Sequence, residues 1–471
     1  MELRTSFSRQ APEAVAASSS GDVRLGSRVG ALGAREGLAT ILGLIGILVL
    51  TAPASRLTVP VGAPGSTLPN WILGIFSPMA DTGLWLGRPA VAGGLVLATA
   101  AWLLVVRDVD SVPLRTLVWA IGAIYVLLLL APPLFSTDVF TYLSAGRLQV
   151  LHSVNPYLHG PVVRPQDPVF GWTGLIWCDT PTVYGPIFTL FTVALTPLGV
   201  AGGLWALKLV AFASAGTCAW LTYKIARDLG RPAAQAMVFV ALNPVLLVYA
   251  LGGGHNDLLM LAVVLAAVRL VVQSRPRAAG AALAVAVAVK ATAGLVLPFL
   301  LIGARKSVDR GTREALLGFT MVTAAVAAVA TLFYGGQWLT VPATIADGTG
   351  QHIGELRSVP GIFAGYLGLG QVGVVPRTLL FLVVLSIIVL SARAALRTKN
   401  GWIGGAAVAI IASLALSTQL HPWYLIWCLP FAALSGNRRI RGGAIALTVG
   451  VIAIQAIRWL APLGVGWAHS G

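Results

Sequence analysis

Residues 118–160, "VWAIGAIYVLLLLAPPLFSTDVFTYLSAGRLQVLHSVNPYLHG", join a long apolar run to a polar segment. The run up to Leu134 is apolar enough to lie in a bilayer, and it indicates a membrane helix. The residues that follow include Asp138, Arg147 and an Asn-Pro-Tyr turn at 155–157. Because charged and polar side chains are costly at the edge of a membrane helix, we expect these residues to have a function.

The composition of the whole chain indicates a membrane protein with many helices. Of its 471 residues 57% are hydrophobic and only 10% are charged, with a mean hydropathy of +0.85. A soluble domain normally carries about 25% charged residues. Apolar runs of about 20 residues recur from Gly37 onward. We therefore predict a single all-α, polytopic domain over 37–471, preceded by a disordered cytoplasmic N-terminus over 1–36.

The net charge of +16 is distributed in a way that favours membrane insertion over nucleic-acid binding. The basic residues cluster in short segments between apolar runs, and one topology places all of these segments in the cytoplasm, as the positive-inside rule requires. We therefore expect no nucleic-acid partner. The clusters are Arg4 to Arg35, Arg107/Arg115, Lys224/Arg227/Arg231, Arg275/Arg277, Arg305/Lys306/Arg310/Arg313, Arg393/Arg397/Lys399 and Arg438/Arg439/Arg441.

This charge pattern predicts a path through the plasma membrane that begins in the cytoplasm and ends outside. Residues 278–302 are too short for two full crossings, so they predict a pair of broken helices that turn at "VKATAG" (289–294). Segment 184–199 is predicted to lie in the outer leaflet. With the broken pair there are about 13 segments, and loop 135–183 lies on the outer face. The other predicted segments are 37–53, 86–106, 116–134, 203–224, 233–251, 257–273, 314–334, 377–393, 402–417, 420–435 and 442–461.

Asp138 is the strongest candidate for a catalytic acid or base. It follows the end of a membrane helix by only a few residues, and the next residues read as an amphipathic helix that offers Tyr142 and Arg147 to a cleft. A structural alternative is that Ser136, Thr137 and Asp138 form the N-cap of this helix. The two roles do not exclude each other.

The stretch "GGGHND" (252–257) offers a second polar group beside three glycines, which permit close approach of backbone or ligand. His255, Asn256 and Asp257 then begin a helix, and Asp257 also has a structural explanation as an acidic residue at a helix N-terminus. One histidine and one aspartate make an incomplete set of metal ligands.

Lys290 lies between two apolar runs, at the predicted break of the short helix pair. A lysine at this depth needs an anionic partner unless its side chain reaches the membrane surface. The stretch "STQLHPWYLIWCLP" (417–430) opens a further helix at the outer face with His421, Trp423 and Tyr424. Anchoring at the membrane interface explains the tryptophan and tyrosine, but it explains the histidine less well.

An acid, a lysine and aromatic rings on one membrane face suit transfer from a lipid-linked phosphate donor. A sugar phosphate leaves as phosphate and needs a cation, while one carboxylate suffices to take the proton from an acceptor hydroxyl. Glycosidases need two carboxylates because their leaving group is poorer. We therefore assign Lys290, with Arg147 and His255, to the donor phosphate.

Six segments together resemble the GT-C glycosyltransferases of actinobacteria, in particular the polyprenol-phosphomannose-dependent α-1,6-mannosyltransferases. The resemblance runs from about residue 113 to residue 435. The segments are "STDVFTYLSAGRL", "NPY", "TPTVYGPIF", "NPVLLVYALGGGHNDLLML", "AVAVAVKATAGLVLPFLL" and "HPWYLIWCLPF".

The resemblance implies a GT-C fold and inverting transfer from a polyprenyl-phosphate sugar to a mannoside of the lipomannan type, with Asp138 as general base. Because "DVF" is not a DxD pair, we expect no metal cofactor, although Asp179 could reach the same cleft. Candidate substrate-binding residues in the matching segments are Tyr142, Asn155, Tyr157, Asp179, Tyr184, Asn256, Asp257, His421, Trp423 and Tyr424.

Three alternatives stay open at this point. The donor could carry arabinose or glucose, since no residue pattern reads sugar stereochemistry. A lipid or solute transporter is disfavoured because no internal repeat is evident. A non-catalytic partner of cell-wall enzymes would not require Asp138.

Overall fold

The computed structural model describes residues 33–55, 57, 69–174, 177–347, 358–369 and 372–460. Most of the segment predicted as a disordered N-terminus, residues 1–32, lies outside the described residues. The first helix begins at Ala34, three residues before the predicted start of the membrane domain.

Helices make up the architecture, and the described residues contain no β-strand, which confirms the all-α prediction. The α-helices are α1 (Ala34–Ser55), α2 (Asn70–Leu73), α3 (Arg88–Arg107), α4 (Leu114–Leu130), α5 (Asp138–His152), α6 (Pro186–Leu195), α7 (Gly199–Asp228), α8 (Ala233–Ala241), α9 (Asp257–Val272), α10 (Pro276–Val289), α11 (Leu297–Ser307), α12 (Gly311–Tyr334), α13 (Val341–Asp347), α14 (Val359–Tyr366), α15 (Val374–Ala395), α16 (Gly401–Leu416), α17 (Leu429–Leu434) and α18 (Arg438–Leu460).

Several of these helices are suited to cross a membrane. Among the described residues six helical stretches are long and apolar enough: α1, α3, Pro186–Asp228, α12, α15 and α18. A seventh forms if α8 and the π-helix Val245–Leu251, bent by 49°, count as one span. The shorter apolar helices, of 10–17 residues, are α4, α10, α16 and Pro422–Leu434. The chain is therefore a membrane-embedded helical protein, while the number of about 13 segments stays a prediction.

The predicted break at Lys290 is confirmed. α10 ends at Val289, Lys290 is extended, and a 3-10 helix over Ala291–Val296 leads into α11. The backbone N–H of Lys290 makes the last α-helical hydrogen bond of α10, to the Ala286 carbonyl at 3.0 Å, and the extended conformation of Lys290 ends the helix there. The chain before α6 lies beside this break. The backbone N–H of Gly185 donates to the Val289 carbonyl at 3.0 Å. A side chain on Gly185 would overlap the backbone of Ala288.

Two polar turns meet at the end of the apolar run that opened the sequence. The backbone N–H of Leu134 donates to the carbonyl of Gly252, 2.8 Å away. The π-helix that precedes Gly252 packs against a 3-10 helix over Pro422–Trp427. The start of α5, the start of α9 and the aromatic segment before α17 therefore come together in one region of the fold.

Candidate functional site

The carboxylate of Asp138 faces the protein interior and not the N-terminus of its own helix. Thr137 is the N-cap of α5 and makes no side-chain cap hydrogen bond, while the backbone N–H of Asp138 donates to Ser136 Oγ at 3.2 Å. The Oδ2 atom of Asp138 lies 3.3 Å from Nδ1 of His255. The Asp138 side chain is therefore available for chemistry and is not occupied as a helix cap.

Tyr142, one turn further along α5, connects this pair to the next residue of α9. Its hydroxyl lies 3.5 Å from Asp138 Oδ2, His255 Nδ1 and Asn256 Oδ1, at the outer limit of hydrogen bonding. Its ring packs edge-on against Tyr184, with ring centres 4.9 Å apart. The structure thus brings these five predicted site residues together.

The charge state of Asp138 follows from its surroundings. Burial raises the pKa of the Asp138 carboxyl, but the hydrogen bond from His255 and the attraction of His255, His421 and Lys290 outweigh burial. The net effect holds the pKa of Asp138 below its usual value. The carboxyl is therefore ionised at neutral pH, as a proton acceptor must be.

Lys290 has its anionic partner inside the protein. Its Nζ lies 2.8 and 2.9 Å from the two carboxylate oxygens of Asp257, which is fully buried. Trp427 Nε1 donates to the same carboxylate at 2.8 Å. The ammonium also lies over the rings of Tyr424 and Tyr184, 4.8 and 5.7 Å from their centres. Asp257 therefore does more than begin α9, because it compensates the burial of Lys290.

The segment before α17 adds a stack of rings to the cluster. Trp423 stacks on His255 with ring centres 3.8 Å apart, and His421 stacks on Trp423 at 4.7 Å. These contacts give His421 and Trp423 a role at the polar cluster beyond membrane anchoring.

Two buried polar atoms in the cluster have no hydrogen-bond partner in the described part of the chain. They are Nε2 of His255 and Nδ2 of Asn256. Buried polar groups in folded proteins are nearly always hydrogen-bonded. The cluster therefore has unused hydrogen-bonding capacity, which a bound ligand would satisfy.

The glycine turn sets the position of His255. Gly254 has φ +69°, and a Cβ there would lie 2.8 Å from Cγ1 of Val139.

We expect Gly254→Ala to destabilise the protein by at least about 1–2 kcal/mol, because the left-handed conformation is costly for other residues and the turn could no longer lie against α5. Thermal unfolding would measure this loss. Gly216→Ala in α7, where a Cβ meets no atom within 4 Å, is the matched control. Equal midpoints for the two variants would contradict the prediction.

Four further predicted site residues are Arg147, Asn155, Tyr157 and Asp179. Arg147 Nε binds Asp167 at 2.9 Å, and His152 Nε2 lies 2.8 Å from the same carboxylate. Their pairing connects α5 to the following loop. Asn155 Nδ2 donates to the Tyr334 carbonyl at 3.0 Å, and the Tyr157 hydroxyl donates to the Tyr184 carbonyl at 3.0 Å. The side chain of Asp179 is exposed.

Two residues of this region were missed by the sequence analysis. Trp427 lies in the quoted aromatic segment, but nothing in the pattern distinguishes an indole that binds a carboxylate from one that anchors to lipid. Lys208 was visible as a lysine inside the apolar segment 203–224. It is buried, and its Nζ donates to the carbonyls of Leu128, at 3.3 Å, and Ala131, just beyond the C-terminus of α4. Its donors satisfy backbone carbonyls at the end of the helix that leads to Asp138, where carbonyls have no partner within the helix.

The described side chains include no group of three or more His, Cys, Asp or Glu that could hold a metal ion. Asp138 and Asp257 each face a nitrogen group instead, His255 and Lys290 respectively.

The fold and the cluster define a membrane-embedded helical protein with an ionised carboxylate beside a buried lysine. Comparison with protein-family models shows to which family the protein belongs. Residues 40–305 match the model described as "Alpha-(1->6)-mannopyranosyltransferase, N-terminal domain", and residues 352–457 match the MptB C-terminal domain. The chain belongs to the alpha-(1->6)-mannopyranosyltransferase family. The first match contains Asp138, His255 and Lys290, and the second contains the aromatic segment at 421–427.

Curated relatives agree with this assignment. Alpha-(1->6)-mannopyranosyltransferase A of Mycobacterium tuberculosis is 34% identical over 246 residues, which cover 47% of each chain. The A protein of Corynebacterium glutamicum is 31% identical over 228 residues, 47% of this chain and 46% of its own. Alpha-(1->6)-mannopyranosyltransferase B of the same organism is 25% identical over 377 residues, 71% of this chain and 62% of its own. The chain spans about half the length of the two A relatives that it matches. Comparison with solved structures gave no match.

Proposed function

We propose that the protein is a mannosyltransferase that moves a mannosyl residue from a polyprenyl-phosphate donor to an α-mannoside of a lipoglycan, forming an α-1,6 linkage with inversion. The active site lies on the outer face of the plasma membrane, in a GT-C fold of about 13 segments with a cytoplasmic N-terminus. One observation carries the proposal: in a chain of this family, an ionised Asp138 lies in one buried cluster with His255 and Lys290.

The reaction needs one base and one site for the leaving phosphate. The acceptor hydroxyl oxygen forms a bond to the anomeric carbon of mannose while the bond between that carbon and the phosphate oxygen breaks. Asp138 takes the hydroxyl proton, and the polyprenyl phosphate leaves with the bonding electrons. Its pKa below the usual value keeps Asp138 in the form that accepts a proton at neutral pH.

The donor phosphate fits the face of the cluster that holds Lys290. An ammonium group has three N–H donors, and the contact with Asp257 uses two of them. Asn256 Nδ2 is a further unused donor beside it. His255 Nε2 is a donor as well when the imidazole carries a proton on that atom. Arg147 is better placed to hold the loop after α5 through Asp167 than to bind phosphate.

The aromatic rings provide the surface on which a sugar and an isoprenoid chain would lie. Tyr184, Trp423 and Tyr424 present ring faces and edges beside the Asp138–His255 and Asp257–Lys290 contacts, and flat apolar surfaces of this kind suit the C–H faces of a sugar. Asn155, Tyr157 and Asp179 lie outside this surface, and their part in substrate binding stays a prediction.

The experiment that tests the proposed function is incubation of the purified full chain with synthetic polyprenyl-phosphate sugars and short α-mannoside acceptors. We expect an acceptor that is longer by one mannose, with an α-1,6 linkage by mass and linkage analysis. Transfer of arabinose or glucose would overturn the choice of donor. Passage of labelled lipid across sealed vesicles with no new glycoside would support a transporter. Failure of every donor, in a folded protein, would support a non-catalytic partner.

We expect transfer to continue in excess EDTA. Phosphate departure requires cationic assistance, which Lys290 supplies in place of a divalent ion. The assay compares initial rates with and without chelator in the same preparation. Loss of activity that Mg²⁺ or Mn²⁺ restores would contradict the expectation and would point to Asp138 with Asp179 or Asp257 as metal ligands.

A further inference from the structure

A cavity elsewhere in the fold shares none of its lining residues with the cluster around Asp138. It is a groove of about 670 Å³ between α15 and α16, closed at one end by the turn before α8 and by the start of α18. We call it the α15–α16 groove. Small residues on the two helices, including Ala394, Gly401 and Gly404, leave the space open.

The groove changes from apolar to polar along its length. Ile387 and Leu390 of α15 and Val408 of α16 line one end. The other end is lined by polar side chains: Arg231, Thr398, Asn400, Ser435 and Asn437. Because α15 and α16 are apolar helices, the first end lies toward the hydrocarbon and the second toward the membrane surface. This arrangement matches a molecule with a hydrocarbon chain and a polar head.

Arg231 makes the polar end specific for an anion. Its Nη1 atom is buried and has no hydrogen-bond partner, and no carboxylate pairs with the guanidinium in the part of the chain that the structure describes. Burial lowers the pKa of Arg231, as expected for a cation that has lost water without gaining an anion. The guanidinium lies over Gly436, whose Cβ, if present, would be 3.3 Å from Nε.

The surroundings of this end are also positive. The residues that line the groove include no Asp or Glu. Basic residues lie at the end of α15, follow it and begin α18: Arg393, Arg397, Lys399, Arg438, Arg439 and Arg441. Lys306 adds a further cation at the end of α15, where its Nζ binds the carbonyls of Ala395 and Leu396 at 2.9 and 2.8 Å. Such clusters at the end of membrane helices attract anionic lipids.

We propose that the α15–α16 groove binds one anionic phospholipid, with its phosphate on Arg231 and an acyl chain along Ile387, Leu390 and Val408. The amides of Asn400 and Asn437 lie beside the head group. A phosphate diester accepts a charge-assisted hydrogen bond from the free guanidinium, and the acyl chain fills the apolar end. The proposal is independent of the transfer reaction.

The test is native mass spectrometry of the full chain after delipidation and addition of one defined lipid at a time. The probes are phosphatidylglycerol, phosphatidylcholine with the same acyl chains, inorganic phosphate and a polyprenyl phosphate. We expect one tightly held phosphatidylglycerol per chain and roughly ten-fold weaker binding by Arg231→Gln, which removes a charged donor. Arg115→Gln is the matched control, because Arg115 is exposed, does not line the groove and is not part of the basic cluster at its polar end.

A second variant keeps the test decisive if Arg231→Gln does not fold. Leu390 is 61% exposed, so Leu390→Gln should fold, and it should weaken phosphatidylglycerol binding by removing apolar contact. Equal retention of phosphatidylglycerol by wild type and both variants would overturn the proposal. Equal binding of phosphatidylcholine would remove the selectivity for anions. Binding of inorganic phosphate alone, or preference for polyprenyl phosphate, would assign the groove to another ligand.

Discussion

Replacement of Asp138 by asparagine should leave the protein folded and lower turnover by at least about 10²-fold. A positioned general base contributes about 10²–10⁴-fold, and asparagine keeps the shape of the side chain while it loses the ability to accept a proton. Turnover and thermal midpoint should be measured on the same preparation of the variant. A helix cap alone would instead cost about 1 kcal/mol of stability and leave activity per folded molecule intact.

Asp81→Asn is the matched control for this substitution. Asp81 is an exposed carboxylate at the end of the 3-10 helix Gly74–Asp81, and it is not among the predicted site residues. We expect its rate to stay within a few-fold of wild type. Near-normal turnover of a folded Asp138→Asn variant would remove Asp138 from the mechanism.

The second large effect is expected at Lys290, and it is first an effect on stability. Lys290→Met leaves the carboxylate of Asp257 buried, with Trp427 as its one remaining side-chain partner among the residues that the structure describes, and loss of one member of a buried ion pair costs about 3–5 kcal/mol. We therefore expect a strong fall in the thermal midpoint and in the yield of folded protein. A loss of activity in this variant alone would say nothing about phosphate.

The double variant Asp257→Asn/Lys290→Met separates folding from chemistry. With the charge of Asp257 removed, most of the stability should return, because no buried charge is left unpaired. If Lys290 binds the donor phosphate, the refolded double variant should still show weaker donor binding and slow transfer, with little change in the apparent affinity for acceptor. A double variant that transfers mannose at the wild-type rate would show that Lys290 has a structural role only.

The sequence predicted the secondary structure well where one signal dominated. An apolar run interrupted by one lysine predicted the break at Lys290. A charged side chain in the middle of an apolar segment is costly unless the segment is broken there and lines a polar cavity. The turn at Gly252–Gly254 was also predicted, with a helix that begins after His255, because three consecutive glycines indicate a place where the backbone or a ligand approaches closely.

The pairing of charges could not be predicted in the same way. The partner of Lys290 is Asp257, 33 residues earlier, and the partner of Arg147 is Asp167, 20 residues later. Helical periodicity shows on which face of its own helix a side chain lies, but it does not show which other helix packs against that face. The sequence therefore assigned Lys290 and Arg147 to an external phosphate, whereas the fold provides a carboxylate for each.

His255 and Asp257 are separated by a single residue, yet each contacts a different half of the site. His255 contacts Asp138 and Asp257 contacts Lys290, so the covalent geometry at the start of α9 largely sets the distance between Asp138 and Lys290. Detergent, bilayer thickness and temperature can separate α5 or α10 from this turn, but they can hardly change the distance between His255 and Asp257. Inactivation during purification should accordingly coincide with loss of the Asp138–His255 contact or of the Asp257–Lys290 contact, and a ligand that holds either helix in place should preserve activity.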